Sequence, residues 1–431
     1  MTYADALAFL HALPRFADAG AAAFQPGLER MRALLDAMDH PEARFPSLHI
    51  AGTNGKGSTA SFAAAIATAS GLQVGLHTSP HLFDFAERMR LDGQPAPQAW
   101  VAEAVGRHRR DVERIGPSFF EASVALSFLY FAEQAVDLAV VEVGLGGRLD
   151  GTNVLRPVAC GITHIGRDHT DLLGDSLAAI AREKAGIAKP GVPLLSAVAD
   201  AEAHAAIGEV TKATGAPFEA IRETITLTPA EESSDRLTLR TPLQEYGAVR
   251  LGLAGRHQYW NAALAVRLAE IAVPQLSAGA VHTGLAEVVH LSGLQGRAEI
   301  WQHRPRIVAD VAHNADGWRA ALAVAQPEPG GRLFALVGML ADKDAEALAV
   351  LLAQQGATAL PVALPSPRAL SVAALTACLK AQGVPVQPVA DIRAGLKWFS
   401  REATATDVLL VTGSHGTVEA LQSATPELRT P

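Results

Sequence analysis

Cysteine is almost missing: Cys160 and Cys378 are the only two in 431 residues. Two thiols so far apart make no disulfide framework, which excludes the stapled secreted class and fits a reducing compartment. Both read as small buried hydrophobes. No uninterrupted apolar run reaches the roughly 18 residues that a membrane helix needs. The first residues, MTYADALAFLHALPRF, carry Asp5 and no basic segment ahead of an apolar one, so no secretory signal is read and a cytoplasmic protein is expected. Positive charge is also scarce. Lys plus Arg number 36 against 44 Asp plus Glu, a net charge of −8 without basic blocks, which argues against a nucleic-acid partner and a membrane surface. Any anionic substrate must therefore meet local positive charge. There is no internal repeat. Apolar content is ample at 49%, and the length exceeds one ordinary core, so two domains are expected.

The stretch LHIAGTNGKGSTAS, residues 48–61, organises the rest. A short apolar run enters a loop with Gly52, Gly55 and Gly57, carries Lys56 and Ser58, and continues into an alanine-rich run. Strand, glycine loop and helix in that order cradle phosphates: glycines let backbone N–H groups wrap an anion, the helix start adds its positive dipole end, and a lysine supplies a point charge. A nucleoside triphosphate is the expected ligand. The general pattern G-x-x-x-x-G-K-[ST] is not met in full, because Ile50 stands at the first glycine and Gly57 separates Lys56 from Ser58.

Helical spacing of apolar residues predicts helices over 3–12 and 27–38, with a flexible loop over 18–27 between them. Strands follow at 73–77, 138–143, 158–165 and 192–197, and helices at 97–113, 119–134 and 176–188. Period-2 runs at 236–240 and 249–253 suggest an antiparallel ribbon, after which helices return at 257–272 and 277–289. The glycine-bearing segment LSGLQG, 291–296, reads as a hinge. Beyond it strands are expected at 307–311, 333–337, 357–364, 384–389 and 408–411. Strands alternating with helices define an α/β protein: a large doubly wound P-loop-type domain with a small antiparallel ribbon over 1–295, and a smaller Rossmann-like α/β domain over 296–431.

Glu142 ends an apolar strand downstream of the phosphate loop, where a carboxylate either holds Mg²⁺ on the nucleotide or merely caps a helix or meets solvent. Asp168, His169 and Asp171 cluster after the next strand as metal or acid–base candidates. Lys184 falls early in its predicted helix, where a solvated role is the default. Asp310 and His313 lie at another strand end, and Arg297 begins the second domain, either as a surface residue or as an arginine that reaches a phosphate when two domains close.

Taken together, AGTNGKGS, TSPHL, EVGLGGRLDGTN, DHTDLLG, REKAGI, GRAE, DVAHN and GMLADKD occur in an order and spacing that resembles the folylpolyglutamate and dihydrofolate synthases of the Mur ligase superfamily. The resemblance implies ATP-dependent amide formation through an acyl phosphate, joining L-glutamate to a folate or dihydropteroate. It implies that Gly52, Thr53, Asn54, Gly55, Lys56, Gly57 and Ser58 cradle ATP, and that Asn261, Arg297, Asp310 and His313 are further nucleotide contacts. Ser79, Glu142, His169 and Lys184 match ligands of two Mg²⁺ ions. Lys184 matches a lysine that such enzymes carboxylate, which turns a cation into an oxygen ligand. Phe120, Glu121, Leu149, Asp150 and Gly151 match pterin-side contacts, and a monomer is expected. This sequence departs at Gly151, where alanine is usual, at Ser118, where threonine is usual, and after Gly413 in SHGTVEAL.

Two other readings remain at this stage. A peptidoglycan-type Mur ligase would carry a nucleotide-sugar domain before the phosphate loop, for which the stretch ahead of Gly52 leaves no room. A nucleotide-binding regulator without ligase activity would not need Glu142, His169 and Lys184 together.

Overall fold

A computed structural model describes residues 1–14, 27–229 and 235–424. The loop read over 18–27 lies, apart from Gly27, outside them. Two compact units divide the chain: Met1–Leu253 with His257–Leu294, and Ala254–Arg256 with Gln295–Pro431.

The first unit is built on β1 (Ser47–Ala51), β2 (Val74–His77), β3 (Met89–Leu91), β4 (Gln94–Pro95), β5 (Leu138–Glu142), β6 (Ala159–Ile162), β7 (Leu194–Ser196) and β8 (Phe218–Ala220). They join in the order β4-β3-β2-β5-β1-β6-β7-β8, parallel from β2 to β8, with β3 and β4 forming an antiparallel edge. Every residue of β1 and β5 is buried, as a strand covered on both faces requires. Successive side chains of β5 serve opposite layers: Leu138 and Val140 pack with Phe62 and Ile66, whereas Ala139 and Val141 pack with Phe128 and Phe131.

The helix Lys56–Ala69 lies in the first of these layers and is buried from residue 57 to residue 67. A helix enclosed on all sides needs small residues where neighbours approach, which its alanines supply. The helices Gln258–Ala272 and Ala278–Ala286 pack on it. The opposite layer holds Tyr3–His11, Glu29–Ala37, Gln98–Ile115 and Phe119–Glu133. A small antiparallel sheet of β9 (Thr226–Pro229), β10 (Arg236–Arg240) and β11 (Glu245–Arg250) lies beyond β8 in the chain.

In the second unit, β13 (Arg306–Ala309), β16 (Val408–Thr412), β14 (Leu333–Val337) and β15 (Thr358–Pro361) pair in parallel in that order, and β12 (Glu299–His303) adds an antiparallel edge beside β13. Trp318 and Phe399 are fully buried in this unit. Among the described residues no helix is long and apolar enough to cross a membrane.

The expected α/β class, with a ribbon and a Rossmann-like second sheet, is what the chain adopts. Local corrections follow. No strand forms over 384–389 beyond a single bridge from Val386 to Ala359, because Pro385 and Pro388 remove backbone donors. The ribbon strand expected at 249–253 is instead Glu245–Arg250, and β12 went unread. So did the helix Ala201–Thr214, although Asp200 caps its start and Gly215 (φ +73°) ends it; its alanine-rich face gave little polar contrast. The helix over 277–289 is two helices that meet at Glu287.

Gly284 tests the tight packing on the central helix, since a Cβ there would sit 2.5 Å from Ile66 Cα. Gly284→Ala should lower Tm by several degrees, overpacking costing about 1–3 kcal/mol. Gly208→Ala, also helical but facing open space, should leave Tm equal or higher, and calorimetry of the two variants checks the pair.

Candidate active site

β1 runs between β5 and β6, so the loop that leaves its carboxyl end stands between the ends of two parallel neighbours. That is where open parallel sheets bind ligands. The backbone N–H of Thr53 donates to the His164 carbonyl at 2.7 Å, and its hydroxyl bridges Gly166 by donating to the carbonyl at 3.0 Å and accepting from the N–H at 3.1 Å. Thr163 Oγ1 donates to the Asn54 carbonyl at 2.7 Å. Gly52 (φ +152°) faces Thr163 so closely that any Cβ would collide with its hydroxyl. Gly55, at φ +87°, takes the N-cap position of Lys56–Ala69 without a side-chain cap, and Asn261 fills the space beside its Cα. The helix start thus keeps its leading amides for a ligand. Lys56 Nζ donates to the Thr53 carbonyl at 3.1 Å and is half-buried.

Glu142 is 4% exposed and accepts the Ser79 N–H at 3.1 Å. The carboxylate and the serine that follow two adjacent strands are therefore neighbours. His169, at φ +52°, precedes the short helix Thr170–Leu173, and its N–H donates to Asp168 Oδ1 at 3.0 Å.

Lys184 corrects the expectation of a solvated lysine early in a helix. It sits in the last turn of Leu177–Ala185 and is 5% exposed. Burial, with Lys56 nearby, pushes its amine down to about 7, against the opposing pull of Asp168 and Asp150. The 143–150 loop docks on this helix end. Arg148 N–H donates to the Glu183 carbonyl at 2.8 Å, and a Cβ on Gly147 would lie 2.7 Å from the Lys184 carbonyl oxygen.

The residues expected beside the pterin also gather. Phe120 packs against Gly144 so closely that a Cβ there would strike its ring, and the same position lies 3.2 Å from Asp150 Oδ2. Asp150 accepts from Leu145 N–H at 2.8 Å, from Thr152 N–H at 3.0 Å and from the Thr152 hydroxyl; burial pushes its carboxyl upward against these bonds. Glu121 is tied to the start of its own helix, accepting from Ser118 N–H and Oγ at 2.8 Å each, and it pairs with Arg30 at 3.3 Å. Ser118 therefore supplies the capping hydroxyl that a threonine would also supply. A Cβ on Gly151 would lie 3.5 Å from Glu121 Cγ, ordinary contact, so alanine fits there and glycine leaves extra room beside Phe120. Leu149 is half-buried on the same loop.

In the second unit, Asp310 follows β13 and accepts from the N–H groups of Ala298 (2.7 Å) and Ala312 (2.8 Å), with Arg297 as the nearest positive charge. The His313 ring is 5.8 Å from that of His415 and within 3.1 Å of the Val311 carbonyl.

Sequence reading missed the residues that hold these groups. Thr163, His164 and Gly166 lock the phosphate loop, and His49 reaches Thr152 Oγ1 at 2.8 Å and so supports Asp150. Arg88 is buried beside Glu142. None carries a local signal, since each acts on a partner distant in the chain.

A phosphate loop on a doubly wound sheet, followed by a Rossmann-like unit, is the architecture of an ATP-dependent ligase of the Mur type. The Mur ligase middle domain model matches residues 50–269, and the Mur ligase glutamate ligase domain model matches residues 296–415. The chain is 35% identical over 356 residues to the dihydrofolate synthase/folylpolyglutamate synthase of Bacillus subtilis, covering 79% of this chain and 80% of that protein. It is 33% identical over 380 residues to the folylpolyglutamate synthase of Lacticaseibacillus casei, covering 86% and 87%. Among solved structures it is similar to E. coli FolC in complex with DHPP and ADP, with TM-score 0.88, 28% identity and coverage of 100% and 99%. A bifunctional folylpolyglutamate synthase/dihydrofolate synthase with Mn, AMPPNP and L-glutamate bound gives TM-score 0.87 at 28% identity, covering 99% and 98%. The chain belongs to the folylpolyglutamate synthase/dihydrofolate synthase family.

The Lys184 environment sets a pH dependence. An unfolded lysine holds its proton up to about 10.4, while the buried amine releases it near 7. Between these values the unfolded chain binds more protons, so unfolding free energy should rise with pH across that window and this contribution should vanish below it. Denaturant titrations in metal-, nucleotide- and CO₂-free buffer check this; Lys184→Met should flatten the slope.

Proposed function

We propose that the chain joins L-glutamate to the carboxylate of a pteroate-class acceptor, taking both dihydropteroate and reduced folates. The observation that carries this reading is the arrangement at the carboxyl ends of β1, β5 and β6, where the phosphate loop, Glu142 and the Lys184 amine adjoin the Phe120–Asp150 cluster. Loop amides, the helix start and Lys56 hold the triphosphate. An acceptor carboxylate oxygen attacks the γ-phosphorus, and the bond to the β–γ bridging oxygen breaks, ADP leaving with the electron pair. The glutamate amine then attacks the acyl carbon and loses a proton, and phosphate leaves. Positioning and charge stabilisation carry both steps.

Asn261, Arg297, Asp310 and His313 are proposed as further nucleotide contacts, and Phe120, Glu121, Leu149, Asp150 and Gly151 as acceptor contacts. Neighbouring oxygen donors on Glu142 and Ser79 fit a hard divalent cation, with His169 and a carboxylated Lys184 proposed for a second. Among the described residues no group of three or more His, Cys, Asp and Glu is placed to hold a metal ion. When bound, Mg²⁺ neutralises phosphate charge. A lysine amine held down to about 7 is partly neutral at physiological pH and attacks CO₂, forming an N–C bond and losing a proton to give a carbamate. A monomer is proposed as the working state.

A coupled ADP-release assay with glutamate and either dihydropteroate or tetrahydrofolate tests the reading. Release is expected with each acceptor, and release that needs neither glutamate nor acceptor would refute it. Lys56→Ala should cost on the order of 3 kcal/mol in kcat/KM, as loss of a preorganised electrostatic contact does.

Lys184→Arg keeps the charge but forms no comparable carbamate, so it should retain much nucleotide binding and lose most activity. A wild-type-like Lys184→Arg, with ¹³CO₂ NMR showing no carbamate on the native enzyme, would return Lys184 to an unmodified amine.

A further inference from the structure

Arg88 ends the short turn Phe85–Arg88 ahead of β3 and is 6% exposed. Its Nε–H donates to His81 Nδ1 at 2.8 Å, and its guanidinium carbon lies 5.0 Å from the Phe119 ring centroid. The two terminal nitrogens of Arg88 donate to no described residue. The nearest carboxylates do not take them. Glu87 accepts the N–H groups of Leu82, Phe83 and Asp84 at 2.9, 3.0 and 2.9 Å and pairs with Arg90 at 3.5 Å, and Glu142 accepts the Ser79 N–H. Both carboxylates lie near the guanidinium, which stays charged at neutral pH as arginine does.

The terminal nitrogens are not fully enclosed, so they stand open to an acceptor from outside the fold. Here the fork is oriented from two sides, by His81 at Nε and by Phe119 against its face, while its outer edge is left for another acceptor. A planar fork held in this way matches a carboxylate in two-point contact. Its surroundings name the anion. Glu142 stands beside the phosphate loop, His81 shares the TSPHL loop with Ser79, and Phe119 adjoins Phe120 of the proposed acceptor cluster.

We propose that Arg88 grips the carboxylate of the acceptor that is to be phosphorylated, bringing it to the triphosphate by offsetting the repulsion between the two anions. This rests on the acceptor assignment above. The nucleotide is held by the phosphate loop, so the contribution of Arg88 falls on the acceptor. After phosphoryl transfer the same fork holds the carbonyl oxygen of the acyl phosphate while the glutamate amine attacks.

The test crosses residue with ligand. Wild type, Arg88→Lys and Arg88→Met are each titrated with dihydropteroate and with its analogue in which that carboxylate is a primary amide, and the KM for ATP is measured alongside. Arg88→Met should weaken binding of the acid roughly 10–100-fold, the loss of a charge-assisted pair. Binding of the amide and the KM for ATP should stay within about twofold. Arg88→Lys, which keeps the charge without the fork, should fall between and carries the comparison if Arg88→Met does not fold. Free guanidinium ion should restore part of the activity of Arg88→Ala. Equal losses for acid and amide would make Arg88 a structural strut, and a rise confined to the KM for ATP would assign it to the γ-phosphate; either overturns the proposal. Failure of the acceptor assignment itself is distinguishable, because wild type would then show no acceptor-dependent ADP release.

Discussion

The shape of the loop between β1 and the central helix depends on a clasp with the segment after β6, and the proposed anion cradle depends on that shape. Thr53 and Asn54 spend their outward groups on His164, Gly166 and Thr163, so the backbone is fixed before any ligand arrives. Gly52 is required because Thr163 occupies the position of a side chain, and Gly55 because a left-handed turn beside Asn261 starts the helix. Preorganisation of this kind removes the cost of ordering the loop at the moment of binding. The helix behind it, buried from residue 57 to residue 67 and packed backbone-close at Gly284, backs the loop with a close-packed support.

Against a net charge of −8, the molecule concentrates buried positive charge where it is needed. Burial, with Lys56 close by, disfavours protonation of Lys184. Dehydration is the larger cause and the second cation the next. Arg88 behaves differently, because a guanidinium stays charged at neutral pH even when buried, so it remains an anion holder where Lys184 becomes a partly neutral amine. Asp150, by contrast, is committed to its own loop through Leu145 and Thr152, which fixes its carboxylate in one orientation beside Phe120.

The class of fold was readable because parallel strands buried on both faces must be continuous apolar runs, as LAVVE is, and because glycine, lysine and serine at the end of such a run have a specific physical use. The places of Glu142 and Asp310 at strand ends were readable for the same reason, since chain direction alone puts them at the carboxyl edges of their sheets. Readings that depended on weaker local contrast failed, as over 384–389, where two prolines outweighed an apolar pattern, and over the alanine-rich helix Ala201–Thr214.

By itself, then, the order of residues determined most of the elements, the class of fold and which family the motifs resemble. Only the tertiary structure decided how each group behaves there. Lys184 looked like any helical lysine until the 143–150 loop closed over its helix end. Arg88 carried no reading at all before the fold set His81 and Phe119 against it. Burial and electrostatic field come from partners tens or hundreds of residues away, and no local pattern encodes them.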